Sequence, residues 1–302
     1  MTIFIIIYFL GSIQDFMRVL AIRGGGLGDI ILTVPSFLAL KEISKELFLS
    51  VPSQWLPLFE GFSQLIPLEG KLISSIWQGG DEFEKAMGNF DIVITWHYDK
   101  EGVFVKNLEK IAGKVIVGDI RPKKGVHQSL NLFYPILEIN KGIQFPKILR
   151  LPNLPYWKPE GKSEITIHPG SGSMKKVWGI ENFLFLARKF LSENKKVKVI
   201  LGEAELRKEF SVFKELKGAH IKENLSIKEL VRELLDGIVY IGNDSGVSHL
   251  SALLGIPTVV IFKETDPEIW APRGERVHII STYPGKEWIK KEKVMEFVLS
   301  TL

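Results

Sequence analysis

A glycine-rich loop that ends in an aspartate is the first place in the sequence where chemistry could occur. The segment RGGGLGDIILTVPSF, residues 23–37, lies between two apolar runs, as at a turn from a strand into a helix. One interpretation is a tight turn whose glycines supply positive φ, with Asp29 as an N-terminal helix cap. The other is a loop whose bare backbone at Gly25, Gly26 and Gly28 admits a substrate, with Asp29 as a general base.

A second loop carries hydroxyls and lysines. The segment IHPGSGSMKKVWGIENF, residues 167–183, begins at the end of a predicted strand. Its exposed backbone N–H groups and the hydroxyls of Ser171 and Ser173 suit phosphate oxygens. Lys175 and Lys176 are either a solvated pair or, in this position, include one lysine that faces a diphosphate.

A third segment, YIGNDSGVSHLSALLGIPTVVIF at residues 240–262, predicts a strand, a turn and a helix. Asp244 or Ser245 would cap this helix, and its free N–H groups at Gly246 would form an anion site. His249 lies one turn further on the same face, as a ligand contact or as a buried interior histidine. Asp244 would repel a phosphate, so its expected partner is a sugar hydroxyl or a lysine such as Lys176.

The composition excludes several classes of function. The 302 residues include no cysteine, which rules out disulfides, thiolate metal sites and cysteine nucleophiles and favours a reducing cytoplasm. A net charge of +4 with scattered lysines and arginines suits an anionic partner or a membrane surface better than nucleic acid. The dinucleotide fingerprint G-x-G-x-x-G would require glycine at Asp29, and there is no P-loop, so an NAD(P)-dependent enzyme is disfavoured.

Short apolar runs alternate with amphipathic stretches, a pattern typical of parallel, doubly wound α/β sheets. Strands are predicted at 19–23, 47–51, 64–68, 91–96, 114–117, 164–168, 197–201, 218–221, 238–241, 258–262 and 277–280. Helices are predicted at 30–44, 53–61, 79–88, 102–112, 127–139, 180–193, 203–216, 226–235, 246–254 and 287–301. The prolines of 146–159 predict an extended linker between two domains. We therefore expect two Rossmann-like domains facing a central cleft, with the chemistry at the carboxyl ends of their strands.

The N-terminal segment 1–16 is apolar from residue 3 to residue 10, with no preceding lysine or arginine. This run is shorter than the roughly 20 residues of a membrane span. It also lacks the charged start and cleavage site of a signal peptide. We expect the functional chain to begin at Met17 and residues 1–16 to be an upstream extension, the alternative being a weak membrane-surface anchor.

Three segments together resemble glycosyltransferase family 9, the heptosyltransferases: residues 17–42, residues 165–190 and residues 240–274. The resemblance implies a GT-B fold and inverting transfer of heptose from ADP-heptose to Kdo or heptose of the lipopolysaccharide inner core. It implies no metal and no other cofactor. The implied domains are an acceptor domain (17–150), a linker (151–163), a donor domain (164–286) and a C-terminal helix (287–302) that packs back on the first domain.

The resemblance also assigns residues to roles. The R-x-G-x-x-G-D loop of the family falls on Arg23, Gly25, Gly28 and Asp29, with Asp29 as the implied base. A lysine that meets the diphosphate falls on Lys176, and phosphate-binding hydroxyls fall on Ser171 or Ser173. The remaining implied donor contacts are Glu205 (or Glu203) at the ribose, Leu225 at the adenine, and the D-[ST]-G-x-x-H residues Asp244, Ser245, Gly246 and His249.

The sequence departs from the family pattern at two places. Gly24 replaces a leucine, which should loosen the turn around Asp29, and Gly179 replaces the proline that usually follows the tryptophan. On the acceptor side, position and charge suggest Arg23, His97, Arg121, Lys123 and Lys124. The expected partners are a nucleotide sugar, a lipid-linked anionic acceptor and the inner membrane surface, with the protein a monomer. Transfer of another nucleotide-linked sugar, or nucleotide-sugar binding without catalysis, remains the alternative.

Overall fold

A computed structural model describes residues 17–97, 99–202, 208–285 and 287–301. The hypotheses about segment 1–16 and about Glu203 and Glu205 lie outside these residues. The chain divides into two compact units between Asn153 and Leu154, inside the predicted linker. The finer domain boundaries stay predictions, and each unit is described by itself below.

The N-terminal unit contains a five-stranded parallel sheet with strand order β3-β2-β1-β4-β5. Its central strand is buried from Val19 onward, as expected for an apolar run within a parallel sheet. The strands are β1 (Arg18–Ile22), β2 (Glu46–Val51), β3 (Gln64–Pro67), β4 (Phe90–Thr95) and β5 (Ala112–Val117). The helices are α1 (Leu27–Ile43), α2 (Lys71–Trp77), α3 (Asp81–Met87), α4 (Val103–Ile111) and α5 (Gln128–Phe133), with 3₁₀ turns at Ser53–Phe59 and Tyr134–Glu138.

The C-terminal unit contains a six-stranded parallel sheet with strand order β11-β10-β9-β6-β7-β8. The strands are β6 (Glu164–His168), β7 (Lys196–Leu201), β8 (His220–Glu223), β9 (Gly237–Asn243), β10 (Thr258–Phe262) and β11 (Val277–Ser281). The helices are α6 (Ile180–Ser192), α7 (Ile227–Leu235), α8 (Gly246–Leu253), α9 (Pro267–Trp270) and α10 (Lys291–Thr301), with 3₁₀ turns at Met174–Lys176 and Lys208–Glu215.

Every predicted strand is present, with ends within about two residues of the predicted ones. The helix predictions were less accurate. Helix α2 was missed, and α3 is shorter than the predicted helix 79–88 because Gly80 and Gly88 adopt positive φ at its two ends. The predicted helices 53–61 and 127–139 are wholly or partly 3₁₀, and each contains a proline in its 3₁₀ portion.

The C-terminal helix α10 packs against α6 of its own unit, and Val294, Met295 and Val298 are buried in that unit's core. Its predicted return to the first domain stays a prediction. Among the described residues, every helix is too short or too polar to cross a bilayer.

Candidate active site

The candidate residues follow the strands at the carboxyl edge of each sheet. Because all strands in a sheet run parallel, the loops that follow them emerge at the same edge. In the N-terminal unit the glycine loop follows β1 and His97 follows β4. In the C-terminal unit the Pro-Gly-Ser-Gly-Ser loop follows β6, and Asp244 follows β9. Strands β6 and β9 are neighbours, so their two loops meet.

Asp29 lies in the first turn of α1, where its carboxylate makes two described hydrogen bonds. The cap position itself is Gly26, and Asp29 two residues into the helix caps the N-terminus through a capping box, so the interpretation of Asp29 as a helix cap is confirmed in this form. Asp29 Oδ2 accepts from the backbone N–H of Gly26 at 3.0 Å, and Oδ1 accepts from the Arg23 guanidinium at 3.2 Å. The side chain is still 45% exposed. The carboxylate therefore satisfies a free helix N–H group and remains accessible to a substrate.

Arg23 lies beneath the loop, with a side chain only 6% exposed. Its Nε donates to Thr33 Oγ1 at 3.1 Å, and one terminal nitrogen donates to the carbonyl of Trp96 at 3.4 Å. Burial lowers the pKa of the Arg23 guanidinium, and the negative charge of Asp29 opposes that shift. Arg23 thus holds the Asp29 carboxylate from the buried side of the loop. The predicted contact of Arg23 with an acceptor stays a prediction.

The glycine at position 25 leaves space for the side chain of Asp29. Gly25 has φ of +120°, and a Cβ built there would lie 2.7 Å from Asp29 Oδ2. Glycine at this position is therefore explained by Asp29, and the hypothesis that the loop's missing side chains make room for a substrate stays a prediction. At Gly24, a Cβ would lie 3.3 Å from the end of the Leu68 side chain, and the structure gives no reason why glycine stands there in place of leucine. Gly28 lies in the first turn of α1 and is partly exposed.

We predict that Gly25→Ala lowers the free energy of unfolding by about 1–3 kcal/mol, the usual cost of forcing a side chain into positive φ. Gly26→Ala is the matched control. Gly26 has extended backbone (φ −74°, ψ 174°), and its only neighbour within 4 Å of a built Cβ is Asp29 Oδ2 at 3.8 Å. Gly26→Ala should lower the free energy of unfolding by about 1 kcal/mol or less. Chemical denaturation of both variants measures the difference, and equal losses would contradict this explanation of the loop.

In the C-terminal unit, Asn243 at the end of β9 holds the Pro-Gly-Ser-Gly-Ser loop in place. Its side-chain amide donates to the carbonyls of Pro169 at 2.8 Å and Gly170 at 3.1 Å. Its Oδ1 accepts from the backbone N–H of Trp178 at 2.9 Å. Asn243 is fully buried, so one side chain clamps both ends of the loop between Pro169 and Trp178.

Lys176 and Asp244 form an ion pair within this clamped region. Lys176 Nζ lies 2.7 Å from Asp244 Oδ2, although the residues are 68 positions apart, and the predicted pairing of Asp244 with a lysine is confirmed. Thr265 Oγ1, after β10, donates to the same carboxylate oxygen at 2.7 Å. The Asp244 side chain is 8% exposed and that of Lys176 is 34% exposed. The lysine side chain is therefore partly exposed, whereas its carboxylate partner is almost buried.

The two candidate serines of the loop have different surroundings. Ser171 is buried, and its hydroxyl donates to the carbonyl of Asp244 at 2.7 Å. Ser173 is partly exposed, immediately before the 3₁₀ turn that carries Lys176. Ser171 therefore anchors the loop, and Ser173 is the better placed of the two to meet a ligand.

The N-terminus of α8 completes this part of the site. Ser245 is the helix cap, and its hydroxyl accepts from the backbone N–H of Ser248 at 3.4 Å and lies 3.5 Å from Nδ1 of His168. Gly246 is the first helical residue, so its N–H group has no partner within the helix. His249 is buried, as its interior interpretation predicted, and its ligand role stays a prediction.

The remaining candidates stay predictions. Leu225 lies just after β8, partly exposed, at the carboxyl edge of the C-terminal sheet. His97 packs against the rings of Trp77 and Phe104, with centroids 5.6 and 5.5 Å away. Arg121 is 82% exposed and pairs with Asp119, and Lys123 and Lys124 are exposed in the same loop.

Three side chains at these edges were not predicted: Asn243, Thr265 and Trp55. Trp55 donates its indole N–H to the carbonyl of Gly25 at 3.3 Å. Each follows a predicted strand within four residues, so position after a strand was the signal that could have found them. The missing proline after Trp178 also has a reason, because Gly179 adopts φ of +109°, which proline cannot.

The described residues contain no group of three His, Asp or Glu side chains that could hold a metal ion. The prediction of metal independence is untested by this observation and stays a prediction. The positive charge described at the site comes from the protein, at Lys176 and at the N-terminus of α8.

The chain forms two parallel, doubly wound sheets. An acidic loop lies on one, and a lysine–carboxylate pair lies beside a helix N-terminus on the other. This α/β architecture matches the GT-B class. The model of glycosyltransferase family 9 (heptosyltransferase) matches residues 124–298, more than half of the chain. The chain belongs to this family and is a glycosyltransferase. The predicted α/β fold, family and enzyme class are therefore confirmed.

Relatives and solved structures agree with this assignment. Lipooligosaccharide heptosyltransferase 2 of Campylobacter jejuni is 28% identical over 255 residues, covering 79% of this chain and 78% of that protein. A family 9 glycosyltransferase of Veillonella parvula gives a TM-score of 0.75 at 18% identity, covering 95% of this chain and 97% of that one.

The Escherichia coli heptosyltransferase WaaC, solved with ADP, gives a TM-score of 0.73 at 17% identity, covering 95% of this chain and 100% of that one. Its structure with ADP-2-deoxy-2-fluoro heptose gives 0.71 at 18% identity with the same coverage. At these identities the agreement with the solved structures concerns the fold.

Proposed function

We propose that the protein transfers heptose from ADP-heptose to an anionic acceptor of the lipopolysaccharide inner core, Kdo or heptose, with inversion at the anomeric carbon and without a metal ion. The names of the curated relatives support the sugar and the acceptor class. The structure of WaaC with ADP-2-deoxy-2-fluoro heptose supports the donor. The carrying observation is the Lys176–Asp244 pair beside the N-terminus of α8.

The donor diphosphate would bind at this pair. Diphosphate oxygens can accept from the ammonium of Lys176, from the hydroxyl of Ser173 and from the backbone N–H of Gly246. Asp244 is then left with Thr265 and with a hydroxyl of the donor sugar. Leu225 would contact the adenine, and Glu205 or Glu203 the ribose.

In an inverting transfer the acceptor hydroxyl attacks the anomeric carbon from the face opposite the leaving ADP. The new bond joins the acceptor oxygen to that carbon, and the bond from the carbon to the phosphate oxygen breaks. Asp29 accepts the hydroxyl proton, and general base catalysis of this kind contributes about 10²–10⁴-fold. Lys176 and the α8 N-terminus stabilise the growing charge on ADP, the role that a divalent ion serves in other transferases.

The acceptor is proposed to bind on the N-terminal unit, which carries Asp29. Arg121, Lys123 and His97 are the proposed contacts with its anionic groups. We propose that the protein works in the cytoplasm as a monomer. Because the acceptor is lipid-linked, we also propose peripheral contact with the inner membrane surface.

A donor panel tests the proposal. ADP and ADP-heptose should raise the melting temperature, whereas UDP- and GDP-sugars should not, and mass analysis should find one heptose added to a lipid A–Kdo acceptor. Transfer should continue in EDTA, and NMR should find the anomeric configuration opposite to that of the donor. A shift with UDP-sugars and none with ADP would mean that another nucleotide sugar is the donor.

A further inference from the structure

Trp55 lies beside the glycine loop although it belongs to a different part of the chain. The 3₁₀ turn Ser53–Phe59 follows β2, and β2 is the sheet neighbour of β1, from which the glycine loop emerges. The indole Nε1 of Trp55 donates to the carbonyl oxygen of Gly25 at 3.3 Å. This contact joins residues 30 positions apart at the carboxyl edge of the sheet.

The bond from Trp55 and the bond to Asp29 meet on one peptide group. The carbonyl of Gly25 and the N–H of Gly26 belong to the same planar unit. Its oxygen accepts from Trp55, and its N–H donates to Asp29 Oδ2 at 3.0 Å. A rotation of this peptide would therefore break both hydrogen bonds, and the two bonds polarise each other.

The peptide needs an external constraint because of the glycines on both sides of it. Gly25 and Gly26 have no side chains to restrict their rotation, and both are exposed. The turn that carries Trp55 is itself firmly held. Ser53 donates its N–H and its hydroxyl to Glu69 at 3.0 and 2.9 Å, and Phe59 is buried against Phe37.

We infer that Trp55 is a positioning residue for the base: its indole N–H fixes the Gly25–Gly26 peptide that orients Asp29, and its partly exposed ring forms one side of the acceptor site. This inference rests on the proposed function of Asp29. An indole offers a rigid apolar face with a single hydrogen-bond donor, which suits a sugar ring that must be held beside a carboxylate.

Two variants separate the effect of the indole N–H from the effect of the aromatic ring. Trp55→Phe keeps an aromatic ring and removes the N–H, so kcat should fall about threefold to tenfold, the effect of one hydrogen bond, with the acceptor KM unchanged. Trp55→Ala removes the ring and the N–H, so kcat should again fall about threefold to tenfold. The acceptor KM should also rise about fivefold, the effect of losing one aromatic contact. The donor KM and the melting shift with ADP should stay at wild-type values in both variants.

Tyr134→Ala is the control, because Tyr134 is an exposed aromatic residue of the same unit to which the proposed mechanism gives no role. Wild-type kcat in Trp55→Phe would overturn the positioning role, and an unchanged acceptor KM in Trp55→Ala would overturn the contact. A changed donor KM would also overturn the inference, since it would mean general damage. If Trp55→Ala fails to fold, Trp55→Phe still decides the positioning role. Wild-type protein that transfers no heptose would instead refute the proposed function.

Discussion

Lys176→Ala is expected to lower kcat for the proposed heptosyl transfer by a few hundredfold or more while the protein stays folded. Two unit charges about 4 Å apart interact by about 4 kcal/mol at an effective dielectric constant of about 20. About 1.36 kcal/mol corresponds to a tenfold change in rate, so an ion pair formed mainly in the transition state accounts for up to about a thousandfold. Steady-state kinetics with ADP-heptose measures the loss.

The structure adds a second reason for a large effect. Without Lys176, the carboxylate of Asp244, whose side chain is 8% exposed, keeps only Thr265 among its described side-chain partners. An uncompensated negative charge would then lie beside the leaving diphosphate. The double variant Lys176→Ala with Asp244→Asn should therefore recover part of the lost activity, about tenfold if the repulsion costs about 1.4 kcal/mol in the transition state.

Lys175→Ala is the matched control for this prediction. Lys175 is the neighbouring lysine in the same 3₁₀ turn and is exposed. Its removal changes the net charge by the same amount but should leave kcat within about twofold of wild type. Equal losses in the two single variants would mean that the general charge of the loop matters and that Lys176 has no specific role.

Asp29→Ala is expected to lower kcat by about 10²–10⁴-fold, the usual contribution of a general base. Because Asp29 lies in the N-terminal unit and the proposed donor site in the C-terminal unit, the melting shift with ADP should be unchanged. Asp29→Asn should lose a similar amount of activity, since an amide cannot accept the proton although it fills the same space. Kinetics and thermal melting of both variants measure these effects.

The control for Asp29 is Asp81→Ala, which removes an exposed acidic residue from the first turn of α3 in the same unit. It should cost a few tenths of a kcal/mol in stability and leave kcat unchanged. Wild-type turnover by Asp29→Ala would show that another group accepts the proton. A loss of ADP binding in Asp29→Ala would mean that the substitution disturbs the structure in addition to removing the general base.

Much of the site could be predicted because its residues occur in short segments. Arg23 and Asp29 are six residues apart, and Lys176 follows a strand that apolar alternation predicted correctly. Local patterns of this kind identify strands, turns and the loops that follow them. The same patterns carry the resemblance to the family, which the family model confirms.

Contacts between distant segments could not be predicted in the same way. The pairing of Lys176 with Asp244 was anticipated from charge alone, whereas Thr265, Asn243 and Trp55 were missed. Asn243 reaches Pro169 only because β9 and β6 are adjacent in the sheet, and Trp55 reaches Gly25 only because β2 lies beside β1. Strand order depends on how helices cross over the sheet, which apolar periodicity does not encode.

The sequence by itself therefore determined the α/β class, the positions of the strands and the loops that carry Asp29 and Lys176. Periodicity and glycine placement act within a few residues, so one chain segment contains that information. Only the tertiary structure decided why Gly25 is a glycine, which serine anchors the loop and which side chains hold Asp29 and Lys176. These depend on atoms a few ångströms apart whose residues are separated along the chain, and only packing brings such atoms together.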